Sequence, residues 1–127
     1  MQNSYQIIGA LLTAVVVLGG STAAATSRSV SLSDAKSAES TYSCTAKNGK
    51  YKVYANRSPR SKSTRLLVGL NEWDVSTSKY LYTYKFSITS TNGTTKLLNA
   101  QIGNWAKVRL TAEGSKGTGA GNITNEF

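Results

Sequence analysis

The side chains able to do chemistry are few and unevenly placed. The chain contains no histidine, which removes the commonest proton shuttle near neutral pH and the commonest metal ligand. Ser-His-Asp and Cys-His nucleophile arrangements go with it. The nearest thing to a carboxylate pair is Glu72 and Asp74, two residues apart and so on one side of an extended segment, where they would hold a cation or act as acid and base. They flank Trp73 at an expected strand end, and acids in such places are ordinarily solvated, without the burial that perturbs a catalytic carboxylate. Gly114, Gly117, Gly119 and Gly121 lack the strand-to-helix setting and the lysine of a phosphate loop. No catalytic residue, no metal ligand and no cofactor site is therefore expected.

The least ordinary feature is basic. From Lys47 to Arg65 there are seven Lys or Arg residues and no acid, with Tyr51 and Tyr54 interleaved. Read functionally, this is an anion-binding patch: Lys50, Lys52 and Tyr54 share the outer face of a strand, and Arg57, Arg60, Lys62 and Arg65 extend from the loop behind it. Arginine forks suit phosphate-rich targets. Read structurally, the same run is a solvated hairpin face and a flexible exposed loop. Tyr80, Tyr82 and Tyr84 also have two readings, a stacking platform for sugars or bases or a row of core residues. The core is favoured because Phe86 and Ile88 continue the same period-two series.

The elements that must position these groups begin after an apolar leader. The first twenty-five residues carry no charged side chain, and Ile7 to Leu18 is an unbroken weakly polar or apolar run followed by Gly19-Gly20-Ser21-Thr22-Ala23-Ala24-Ala25. That length fits a cleaved signal helix of residues 1–25, cut after Ala25, better than a membrane span of about twenty apolar residues. The n-region has no Lys or Arg, so an uncleaved N-terminal membrane anchor is the alternative. Export then leaves a mature chain of about 100 residues, enough to bury a core without disulfides. Cys44 is the single cysteine; it reads as a small buried apolar residue, with pairing between molecules as the alternative.

Half of the residues from Thr26 to Thr45 are Ser or Thr, so residues 26–39 read as a flexible lead-in. The folded part is expected over residues 40–113. Asn48-Gly49 signals a two-residue hairpin that would set Ala46 against Tyr51, Cys44 against Val53 and Tyr42 against Ala55. Leu66 to Leu70 reads as a buried strand and Lys79 to Thr89 as the clearest strand. A three-residue loop at Thr91-Asn92-Gly93 would set Phe86 against Leu98, and a bulge near Trp105 would lead into a half-buried strand through Ala106, Val108, Leu110 and Ala112. Residues 114–127 read as a loose Gly-rich tail. The expected fold is all-β, a small antiparallel meander-type sandwich or barrel of five to six strands.

Net charge is +9, and that sign favours anionic partners. In general character the chain resembles the small exported β-proteins of bacteria, some of which are antimicrobial. The expectation is a secreted, cationic, non-enzymatic β-protein that binds anionic cell-envelope polymer or a membrane surface, a bacteriocin-like factor among the options. Nucleic acid is a less favoured partner. The alternative is a structural or adhesive subunit of an extracellular assembly, self-associating when its Ser/Thr-rich arm or Gly-rich tail adds a strand to a neighbour.

Overall fold

The computed structural model describes residues 26–127. The expected signal segment and its cleavage site lie outside the described residues. Nine strands and no helix are found among the described residues: β1 Ser27–Ala35, β2 Ser37–Glu39, β3 Cys44–Thr45, β4 Lys50–Arg57, β5 Leu66–Asp74, β6 Lys79–Ile88, β7 Thr94–Asn99, β8 Trp105–Ala112 and β9 Gly117–Thr124. They form two antiparallel sheets. The first has the order β1-β9-β4-β7 and the second β2-β8-β5-β6, with β3 also pairing with β8.

One apolar cluster lies between the sheets. Val30, Leu32, Tyr51, Val53 and Ile123 point inward from the first, and Leu66, Val68, Leu70, Val108 and Leu110 from the second. The alternation read from residues 106–112 holds along β8, with Ala106, Val108, Leu110 and Ala112 buried. The fold is all-β as expected, but it is not a meander. Only β5 and β6 are sheet neighbours that follow one another in the chain; β2 and β3 both pair with β8, and every other connection passes from one sheet to the other.

That crossing corrects two expected hairpins. Asn48 and Gly49 do take positive φ, 53° and 72°, and Lys47 and Lys50 exchange both backbone hydrogen bonds. The ladder then stops. Cys44 pairs with Ala106, and the Ala46 amide donates to the Asn104 carbonyl at 2.6 Å, so the incoming chain belongs to the second sheet while β4 belongs to the first. Gly93 is also left-handed, at φ 91°, yet β7 pairs with β4, Val53 opposite Lys96, rather than with β6. A turn residue sets the local reversal; burial of both flanks against one core decides whether they remain partners. With β7 and β8 in different sheets, the register conflict that called for a bulge at Trp105 does not arise.

Neither end of the described chain is loose. The Ser/Thr-rich lead-in and the Gly-rich tail pair with each other, Ser31 opposite Ala120 and Ser29 opposite Asn122, and β9 continues the sheet onto β4. Each segment alternates. Val30 and Leu32 are buried between exposed serines, and Gly117, Gly119, Gly121 and Ile123 are buried between polar or small residues. Where a Cβ would project from Gly119, Leu66 Cδ1 is only 2.7 Å away. The glycines thus make room for leucines of the facing sheet, which composition alone cannot convey.

A bulge does occur in β6. Val68 faces Phe86 and Gly69 faces Tyr84, leaving Lys85 unpaired. One extra residue inverts the period-two phase. Phe86 and Ile88 point into the core, whereas Tyr80, Tyr82 and Tyr84 stand on the outer face, opposite Trp73, Asn71 and Gly69. The expected continuous core row is therefore two half-rows on opposite faces.

Candidate functional site

The seven residues expected to form an anion site fall into two groups. Lys50, Lys52 and Tyr54 do share the outer face of β4, opposite the buried Tyr51, Val53 and Ala55. Lys50 Nζ donates to Asn99 Oδ1 at 2.7 Å, and Tyr54 lines a shallow groove of about 480 Å3 with Ser29, Ser31, Ala120 and Asn122. The other four cations begin at Arg57, the far end of β4, which at about 3.3 Å per residue is roughly 23 Å from Lys50.

There the cations are dispersed. Arg57 Nε donates to the Thr89 carbonyl at 2.9 Å. Lys62 lies 3.8 Å from Asp34, and Arg65 lies 3.4 Å from Glu113; both pairs are exposed and so only weakly held. Arg60 alone has no side-chain partner among the described residues. The loop itself is pinned rather than free. Ser61 and Ser63 are buried, Ser61 Oγ accepts from the Thr118 amide at 3.0 Å, and Ser63 Oγ lies 2.7 Å from the Glu113 carbonyl.

The outer face of the second sheet gathers a denser set. Trp105, Trp73 and Tyr80 form a row across β8, β5 and β6: the indoles stack at 6.0 Å and 18°, and Tyr80 meets Trp73 edge to face at 5.0 Å. Lys107 Nζ lies 4.5 Å from the Tyr80 ring centre, and the Arg109 guanidinium lies 5.3 Å from that of Tyr82. Both distances fall within cation–π range. Tyr82 covers the bare backbone of Gly69, in the space a side chain there would need, and this brings its ring across β5 towards β8. Beside them Asn71 Nδ2 donates to Glu39 Oε1, and Ser43 and Tyr80 share a hydroxyl hydrogen bond of 2.5 Å.

These rings are held but not hidden. Tyr82 is 42% and Tyr84 50% exposed. Partial desolvation pushes the Tyr82 hydroxyl above its ordinary pKa, with Arg109 opposing the shift, so at neutral pH it is a neutral donor and acceptor. The face presents aromatic planes, two cations, one carboxylate and one amide. Such a set can stack on rings, accept from hydroxyls and pair with anions.

Glu72 and Asp74 do not come together as a carboxylate pair. Glu72 is fully buried; its Oε2 accepts from the Gln101 amide at 2.8 Å and its Oε1 is 3.3 Å from Lys85 Nζ. Asp74 accepts from Ser76 and Thr77, and those hydrogen bonds, Ser76's first, hold its carboxyl below the ordinary value. Among the described residues no three of His, Cys, Asp and Glu gather to hold a metal ion.

Sequence reasoning misses Trp73, Trp105, Lys107 and Arg109 as a site. A signal exists: Lys107 and Arg109 alternate with core residues, so both must face outward. Their alignment with the tyrosines depends on the β5–β8 pairing and on the bulge. Compared with family models, curated proteins and solved structures, the chain shows no match.

Proposed function

We propose that this is an exported, non-enzymatic protein that attaches to anionic polymer or membrane at the cell envelope, using the outer face of its second sheet. The single observation that carries the proposal is the alignment of Trp105, Trp73, Tyr80 and Tyr82 with Lys107 and Arg109 on one open sheet face. The net charge of +9 supports it by drawing anionic targets to the whole surface. A bacteriocin-like antimicrobial role is one consequence of such attachment.

Binding to an anionic polymer should fall linearly with salt on logarithmic axes, because each cationic contact displaces counterions. Lys107→Gln/Arg109→Gln should flatten that slope by about two, on a scale of roughly 0.9 per phosphate contact. Arg60→Gln/Lys62→Gln removes the same charge from the loop and should change it much less. Equal effects would mean that overall charge, not this face, does the binding.

The runner-up is a subunit of an extracellular assembly formed by strand addition. Its two donor segments are already paired in β1 and β9, so donation would require one of them to leave its own sheet. Growth in particle size with concentration would favour that reading.

A further inference from the structure

Resting on the reading just given, we infer that the polymer taken by the outer face of the second sheet is a sparsely charged anionic polysaccharide whose rings stack along Tyr80, Trp73 and Trp105. Those three residues stand on three adjacent strands, a row of about 10 Å at the usual strand spacing, which suits a short run of linked rings better than one isolated group.

The charge pattern narrows the class. Lys107 and Arg109 stand against Glu39, which is opposite Arg109 in the β2–β8 ladder and bonded to Asn71. A polymer with a charge on every unit would bring anions against the Glu39 carboxylate. One with anions at intervals reaches the two cations and leaves hydroxyls to donate to Glu39 and the Asn71 carbonyl. A bare polyphosphate chain carries no such donors. A lipid surface would use apolar side chains projecting from the face, whereas Trp73, Trp105 and Tyr80 are half-buried, the indoles stacked on each other and Tyr80 edge-on to Trp73.

Trp73 and Trp105 are the chain's two tryptophans, so intrinsic emission reports this face without a label. Full-length protein is titrated at one ionic strength with lightly sulfated dextran, neutral dextran, polyphosphate and anionic phospholipid vesicles. Sulfated dextran should change the emission saturably and bind about tenfold or more tighter than polyphosphate at equal charge, the scale of one lost stacking contact. Trp105→Ala should lose about tenfold for sulfated dextran and little for polyphosphate. Trp105→Phe, which keeps a ring and guards against a folding defect, should retain most of the affinity.

Equal affinity for polyphosphate, or equal loss from Trp105→Ala with both polymers, overturns ring recognition and leaves attachment to anionic polymer standing. Binding to vesicles with no binding to sulfated dextran also overturns it, in favour of a membrane target. Failure of every anionic probe to bind overturns both this inference and the reading beneath it.

Discussion

Lys85, the bulged residue of β6, turns inward and places its ammonium 3.3 Å from Glu72 Oε1, with both side chains nearly fully buried. The contact is close as an ion pair without being aligned as a hydrogen bond. Removing one partner of a buried pair leaves an uncompensated charge and costs about 3–5 kcal/mol, while removing both costs far less. Lys85→Met should therefore lower stability in urea by about that amount. Glu72→Gln/Lys85→Met should recover most of the loss, since the introduced side-chain carbonyl can still accept from the Gln101 amide. A double variant as unstable as the single would mean that the bulge, rather than the charge, needs Lys85.

The inverted phase of β6 is testable directly. Phe86 is buried and Tyr84 is half exposed two residues away. Phe86→Asp removes a large apolar side chain and buries a lone charge, costing about 3–5 kcal/mol or more, whereas Tyr84→Asp should be tolerated. Thr83, opposite the buried Leu70, lies on the inward side of the same strand. Circular dichroism melts of the two variants decide the matter.

Gly119 belongs to the core rather than to a tail. A Cβ there would meet the Asn56 carbonyl and Leu66, so Gly119→Val should destabilise by about 1–3 kcal/mol through overpacking. Ala120→Ser, one residue away on the exposed side, should change stability by less than about 0.5 kcal/mol. Equal thermal shifts for the two would show that β9 is not seated as described.

Cys44 is fully buried, and desolvation raises its thiol pKa despite the Thr26 hydroxyl 3.4 Å away. Since the thiolate is the reactive form, the native protein should resist a thiol reagent at neutral pH and react fully in denaturant. Rapid native labelling would return Cys44 to the role of a pairing residue between molecules.

Asp74 caps the turn between β5 and β6, and its folded-state pKa is depressed, with the Ser76 hydrogen bond as the largest cause. A depressed folded pKa gives stability that is present above the unfolded value of about 3.9 and is lost as pH falls through the folded value. Asp74→Ala should thus be less stable than the parent at neutral pH, with the difference shrinking as pH falls below the ordinary aspartate range. A difference independent of pH would assign the effect to the turn backbone instead.

The primary sequence determined the class and the local pieces. Period-two alternation placed Val53, Val108 and Leu110 inside, the continuous apolar run Leu66 to Leu70 placed Val68 there, and Asn-Gly marked a reversal that does form at residues 48–49, because side-chain patterning and positive φ are properties of a few adjacent residues. The outward placement of Lys50, Lys52 and Tyr54 was legible for the same reason. Partner choice was not. Cys44 joining β8, β7 joining β4, and the two termini joining each other all depend on which apolar faces complete one core, a sum over contacts distant in the chain. The tyrosines show how far this reaches: one unpaired lysine in β6 moved Tyr80, Tyr82 and Tyr84 from the expected core to the surface, and pairing of β5 with β8 then set Trp105, Lys107 and Arg109 beside them. Residue types and alternation are local, whereas the register that turns them into a binding face is fixed only when two sheets close on a shared core.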